Sequence, residues 1–143
     1  IVAGFADIPA ANVADVINRN CAMHPRIRLM SNPSAPMVGV AFTVKTRHGD
    51  NLTIHAAMEL IGEGDVLVVS NENDDSRALM GEIMFNYLRF TKKIAGIVLD
   101  GPLRDYDAVK KMDFEAAGAV LRHHKNIKTG EYVDDLIFHK ILD

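Results

Sequence analysis

The sequence predicts an α/β domain built on a largely parallel sheet. Two short and continuously apolar runs, DVLVVS at 65–70 and IAGIVL at 94–99, are typical of strands that are covered on both faces. A helical segment separates them, and another strand and helix precede them. Because strand, helix, strand, helix, strand is the order of right-handed βαβ crossovers, we expect these strands to run parallel.

Local periodicity predicts the other elements of the N-terminal half. Apolar residues at the spacing of one helical face, Val13, Val16 and Ile17, predict a short amphipathic helix over 10–19. Alternation of apolar and small or polar residues predicts a strand over 37–45 with one better-buried face. A turn over 48–50 leads into a predicted helix over 51–61.

The C-terminal half is predicted in the same way. After the strand at 65–70, a long helix should bury one apolar stripe, formed by Leu79, Met80, Ile83, Met84, Tyr87 and Leu88. The strand at 94–99 is followed by a turn at Asp100 and Gly101, a helix over 106–112 and a strand over 118–121. No dependable periodicity marks the segment 123–143.

Composition excludes several classes of protein. The chain has 143 residues, enough for a single domain over 1–143. It carries 16 Lys and Arg against 19 Asp and Glu without a basic stripe, so we expect no nucleic-acid partner. No apolar run reaches the roughly 20 residues that cross a bilayer, and Cys21 is the only cysteine. We therefore expect no membrane association and a cytoplasmic location.

Candidate chemistry lies where two neighbouring strands end. Ligands of a parallel sheet bind at the carboxyl ends of its strands, and the segments 70–84 and 100–105 both reach that edge. Arg104 can hold a carboxylate through two parallel hydrogen bonds. Asp105 is a hard oxygen ligand that suits Mg²⁺ or Mn²⁺. Together the two segments suit an anionic ligand and a cation.

Each of these residues also has a structural interpretation. Arg104 and Asp105 are alternatively a solvated ion pair in a turn. Gly81 is alternatively a tolerated helix glycine, and Glu82 an acidic residue that favours a helix start.

The same holds for polar residues outside these segments. Asp50 and Asn51 are expected to cap a helix, and His55 to be packed on it. For His123 and His124 a surface position is favoured over a metal site, because consecutive strand residues point apart.

Five segments in a fixed order resemble the RraA-like family, which includes the regulator of ribonuclease E activity A and metal-dependent 4-hydroxy-4-methyl-2-oxoglutarate aldolases. These segments are VGVAFTV at 38–44, GDN at 49–51, GDVLVVS at 64–70, GEIM at 81–84 and IAGIVLDGPLRD at 94–105. The resemblance is clearest over 5–112. It implies a domain of the swivelling β/β/α type that assembles as a homotrimer, or as a hexamer made of two trimers.

The resemblance also implies an activity and a set of site residues. Aldolases of the family cleave 4-hydroxy-4-methyl-2-oxoglutarate and related keto acids to pyruvate, and commonly decarboxylate oxaloacetate. By position, Arg104 would bind the pyruvyl carboxylate and Asp105 would help to hold Mg²⁺ or Mn²⁺. The stretch Gly81, Glu82, Ile83 and Met84 would bind substrate, with Glu82 orienting substrate or water.

The sequence departs from the family pattern in two places. Glu82 and Arg104 are separated by 21 residues, one more than usual in the family. The segment after Met112 lacks the PGD and DDG turns of the family, so we expect the domain to be shortened or divergent at its C-terminus.

The predicted function is a metal-dependent lyase that acts on a small keto acid. The alternatives are a non-catalytic regulator that binds ribonuclease E or an associated helicase, and a catalytically silent homologue.

Overall fold

A five-stranded mixed sheet forms the centre of the protein. The computed structural model describes residues 1–119, 124–125 and 132–133. The strands are β1 (Arg28–Leu29), β2 (Ala41–Lys45), β3 (Val66–Ser70), β4 (Gly96–Pro102) and β5 (Glu115–Ala119), and their spatial order is β1-β5-β4-β3-β2. Strands β2 to β5 pair in parallel, and only β1 is antiparallel to its neighbour. The predicted α/β class with a largely parallel sheet is confirmed.

Short helices connect the strands. They are a 3₁₀ turn (Val2–Phe5), α1 (Ala10–Val16), α2 (Leu52–Leu60), α3 (Glu82–Asn86) with a π-helical continuation (Tyr87–Lys92), and α4 (Tyr106–Val109). Two further short strands, β6 (His124–Lys125) and β7 (Tyr132–Val133), pair antiparallel. Within the described ranges, no helix combines the length and the apolar character needed to cross a membrane.

The core lies on one face of the sheet. Alternate residues of the two central strands, Leu67 and Val69 in β3 and Ile97 and Leu99 in β4, are at most 1% exposed. They belong to one buried cluster that also contains residues of the helices between β2 and β3 and between β3 and β4, namely Ile54, Ala57, Met58, Phe85 and Leu88. The two apolar runs therefore become the interior strands that the sequence predicts.

The N-terminal helix is shorter than predicted and buries none of its residues. It ends at Val16, and the backbone of Asn18 and Arg19 has positive φ, which breaks the helix. Val16 is 83% exposed and Ile17 51% exposed. Of the apolar face that predicted this helix, Val13 is half-buried in the part of the chain that the structure describes, whereas Val16 and Ile17 stay exposed.

The stripe predicted for the helix after β3 is partly wrong. Helix α3 begins only at Glu82, because Leu79 and Met80 lie in an extended segment beside the end of β4. Ile83 is 84% exposed, whereas Phe85 is completely buried. The π-helical turn after Asn86 widens the helix, so a constant 3.6-residue period does not describe which residues face the core.

Several element boundaries also differ. β4 continues through the predicted turn at Asp100 and Gly101 to Pro102, and the next strand is Glu115–Ala119 instead of 118–121. The helix predicted over 106–112 ends at Val109. His55 is exposed and not packed. The surface position predicted for His123 and His124 lies outside the side chains that the structure describes.

A buried asparagine joins two loops at the carboxyl edge of the sheet. Asn71 is fully buried; its Oδ1 accepts hydrogen bonds from Thr46 Oγ1 (3.1 Å) and the Gly49 amide (3.2 Å). Its Nδ2 donates to the Asp74 carbonyl at 2.7 Å.

We predict that Asn71→Ala lowers the free energy of unfolding by about 2–4 kcal/mol, because it empties a fully buried site and removes the bonds to the Gly49 amide and the Asp74 carbonyl. Urea unfolding measures the change. Asn12→Ala, on the exposed surface of α1, is the control and should not destabilise the protein. Equal effects of the two substitutions would contradict the prediction.

Candidate functional site

The two predicted site segments lie side by side. The Leu79 amide donates to the Pro102 carbonyl (3.0 Å), and the Arg104 amide donates to the Met80 carbonyl (2.9 Å). Met80 and Leu103 form a parallel bridge. Residues 79–81 therefore act as a short added strand beside the end of β4, beyond the last pair between β3 and β4.

Gly81 allows the two segments to approach closely. A Cβ atom at this position would lie 2.5 Å from Asp105 Oδ2 and 2.9 Å from Arg104 Nε. Gly81 is extended and precedes the first residue of α3, so its interpretation as a helix glycine is wrong. The absence of a side chain at Gly81 makes room for both polar side chains.

Asp105 joins the segments through its carboxylate. Its Oδ2 accepts a hydrogen bond from the Glu82 amide at 3.0 Å and lies 4.0 Å from Arg104 Nε. The Asp105 backbone is left-handed (φ 59°), and its carbonyl accepts the amides of Ala108 and Val109 at the start of α4. The side chain thus reaches Glu82 while the backbone begins the next helix.

The polar side chains of this site are open to solvent. The Arg104 side chain is 73% exposed and that of Asp105 is 47% exposed. Glu82 and Ile83 are exposed, and Met84 is half-buried. No described residue accepts a hydrogen bond from the Nη atoms of Arg104. The guanidinium fork is therefore available to a ligand carboxylate.

Part of the 81–84 backbone is already engaged within the protein. The Glu82 amide donates to Asp105, and the Met84 amide donates to the Gly81 carbonyl at 3.0 Å. These bonds hold the start of α3 against the Arg104–Asp105 pair.

The donor set fits a hard divalent cation that keeps most of its water. Among the described residues, no group of three His, Cys, Asp or Glu side chains could hold a metal ion. Mg²⁺ is commonly held by one or two carboxylates with water at its other positions. Asp105 supplies one half-exposed carboxylate whose Oδ1 accepts no hydrogen bond from the described residues. This arrangement suits Mg²⁺ or Mn²⁺ and does not suit a closed structural zinc site.

One contact of this site is absent from the sequence-based prediction. Asn51 Nδ2 donates to the Leu79 carbonyl at 3.2 Å, and Asp50 Oδ1 accepts the Leu52 amide at 2.9 Å. Both residues were predicted as helix caps, yet only the side chain of Asp50 bonds to the helix start. The cap pattern in the sequence carries no signal for the contact that Asn51 makes across to Leu79.

The loop after β3 carries carboxylates whose charge is stabilised locally. A hydrogen bond from Lys45, with its positive charge, lowers the pKa of Glu72, and His48 contributes. A hydrogen bond from the Ser76 hydroxyl lowers the pKa of Asp74. These carboxylates have partners within the loop and its neighbours.

Comparisons with known proteins identify the family of this chain. The family model described as RraA-like, Aldolase/RraA, matches residues 10–137. A protein from Halalkalibacterium halodurans, provisionally named 4-hydroxy-4-methyl-2-oxoglutarate aldolase, is 34% identical over 110 residues, which are 77% of this chain and 51% of that protein. A protein of the same provisional name from Ectopseudomonas mendocina is 33% identical over 92 residues, 64% of this chain and 56% of its own length. The chain thus spans about half the length of these curated relatives.

Solved structures share the fold. The RNA-processing inhibitor RraA from Thermus thermophilis superimposes with a TM-score of 0.67 at 20% identity, over 78% of this chain and 66% of that one. An RraA family member from Streptomyces coelicolor gives a TM-score of 0.67 at 20% identity, over 82% of this chain and 61% of its own. At these identities the likeness concerns the fold alone.

Proposed function

Because the chain belongs to the RraA-like family, we propose that it is a divalent-metal-dependent lyase, an aldolase and decarboxylase of pyruvate-derived keto acids. Its substrate class includes 4-hydroxy-4-methyl-2-oxoglutarate and oxaloacetate. The provisional aldolase names of two relatives support the reaction class.

One observation carries the proposal: an exposed arginine and a carboxylate lie against the start of α3. The contact between Asp105 Oδ2 and the Glu82 amide (3.0 Å) brings the Arg104–Asp105 pair to Gly81 and Glu82. This is the set that the sequence predicts for a keto-acid site, and it lies where parallel sheets bind ligands.

Each residue then has a defined task. Arg104 binds the carboxylate of the pyruvyl unit through its free guanidinium fork and fixes the orientation of the neighbouring ketone. Asp105 would hold Mg²⁺ or Mn²⁺, which supplies stabilisation of negative charge on the ketone oxygen during carbon–carbon cleavage. Glu82 orients substrate or water at the open side of the pair.

We also propose that the protein acts as a single-domain subunit of a homotrimer or hexamer. Large apolar side chains are exposed on several elements of the isolated chain, among them Val16 (83%), Leu60 (75%) and Ile83 (84%). Burial of such side chains between subunits would stabilise an assembly.

The proposal is tested by the metal dependence of turnover. We expect the purified chain to decarboxylate oxaloacetate and to cleave 4-hydroxy-4-methyl-2-oxoglutarate with added Mg²⁺ or Mn²⁺, and to lose both activities in a chelator. Pyruvate release, coupled to its enzymatic reduction, measures the rate. Absence of metal-dependent turnover in a folded sample contradicts the proposal. If such a sample instead captures a ribonuclease or helicase, and Arg104→Ala leaves that binding unchanged, a protein-binding regulator is favoured.

A further inference from the structure

We infer that Asn51 is a positioning residue for this site, which it serves by holding the segment 79–82 in place through a hydrogen bond to the Leu79 carbonyl. The inference extends the proposed function and rests on it for its effect on catalysis. Asn51 forms its hydrogen bond with the Leu79 carbonyl and not with Arg104 or Asp105. It therefore acts on the site through the backbone of the added strand.

Two backbone hydrogen bonds connect the segment 79–82 to the end of β4 and the residues that follow it. The Leu79 amide donates to Pro102, and the Met80 carbonyl accepts the Arg104 amide. These two bonds lie on the edge that faces β4. Each of these backbone bonds contributes only a modest net free energy, so a further hydrogen bond to this short segment helps to fix its position.

Asn51 forms a further hydrogen bond with this segment. Its Nδ2 donates to the carbonyl of Leu79, a residue that is 1% exposed. Loss of this donor leaves the carbonyl of a buried residue without its side-chain partner. Because an unpaired buried carbonyl is unfavourable, we expect the segment to shift. Leu79 is only two residues from Gly81, where the contact with Asp105 and Arg104 leaves no spare room.

The neighbouring residue leaves the Asn51 amide free for this task. Asp50 accepts the Leu52 amide and thereby caps α2, and Asn51 makes no side-chain hydrogen bond to the helix although it occupies the cap position. The two neighbouring residues therefore have different roles: Asp50 stabilises the start of α2, and Asn51 connects that start to the site.

The experiment compares Asn51→Asp with Asp50→Ala by amide hydrogen exchange and by steady-state kinetics. Asn51→Asp keeps the size and the capping ability of the side chain but replaces the donor with an acceptor that faces the Leu79 carbonyl. Asp50→Ala removes the cap and leaves the contact with Leu79 intact, so it is the matched control.

We expect exchange of the Glu82 and Arg104 amides to accelerate about tenfold more in Asn51→Asp than in Asp50→Ala, after correction for global stability. We also expect Asn51→Asp to lower kcat/KM for oxaloacetate by roughly tenfold to a hundredfold, with Asp50→Ala near the parent value. If Asn51→Asp does not fold, Asn51→Ser replaces it, because serine caps a helix but is too short to reach Leu79.

The exchange measurement separates this inference from the proposed function. Accelerated exchange in a chain without lyase activity supports the positioning role and contradicts the lyase. Equal exchange in both variants, with unchanged kcat/KM, overturns the positioning role even in an active lyase.

Discussion

Replacing Arg104 with alanine is expected to reduce lyase turnover by at least about a hundredfold while the protein remains folded. Two charge-assisted hydrogen bonds to a carboxylate contribute on the order of 3 kcal/mol or more together, and each 1.4 kcal/mol is a factor of ten. The side chain is 73% exposed, so its removal opens no cavity. Stability should change by less than about 0.5 kcal/mol. Oxaloacetate decarboxylation and thermal unfolding of the same sample measure both effects.

Two substitutions serve as controls for this prediction. Arg104→Lys keeps the positive charge but loses the two-pronged geometry, so we expect an intermediate rate. Arg19→Ala removes an arginine of similar exposure (79%) on the segment after α1 and should leave the rate unchanged. Full activity of Arg104→Ala would exclude a carboxylate-binding role for Arg104.

Replacing Gly81 with alanine is expected to remove most activity at little cost in stability. The added Cβ would lie 2.5 Å from Asp105 Oδ2 and 2.9 Å from Arg104 Nε, so something must move. The atoms in conflict belong to two exposed side chains, which can swing away more easily than the backbone. The contact between Asp105 and the Glu82 amide would then be lost, at a cost of about 1 kcal/mol. We expect kcat/KM to fall about a hundredfold, because the site pair is displaced.

Gly62→Ala is the matched control for this substitution. A Cβ at Gly62 would also face a carboxylate, that of Asp65, but at 3.3 Å and far along the chain from the site. We expect activity near that of the parent protein. A fully active Gly81→Ala would show that the close approach of the two segments is not needed for the reaction.

The interior of the fold could be predicted from the sequence because its signal is local. In β3 and β4 continuous apolar runs coincide with strands that are buried on the core face and largely covered on the other. For α3 the signal failed, because the helix begins only at Glu82, with Ile83 exposed and Phe85 buried, and then continues into a π-helical turn that departs from the 3.6-residue period. Strand β5 was displaced in the prediction because EAAGA contains no β-branched residue.

The candidate site could be predicted only as two segments. Strands β3 and β4 are parallel neighbours, so the segments that follow them emerge at the same edge of the sheet. This topology brings Arg104 and Asp105 close to Gly81. Individual side-chain contacts cannot be predicted from the topology. The bond from Asn51 to Leu79 spans 28 positions and depends on where α2 begins relative to the added strand.

The left-handed backbone at Asp105 restricts which acid can occupy this position. With φ at 59°, the residue lies in a region that Asp, Asn and Gly adopt at lower cost than longer side chains do. Glutamate would carry the same charge there but would add conformational strain. The turn into α4 and the reach of the carboxylate therefore both favour aspartate over glutamate here, and asparagine removes the charge without disturbing the chain path.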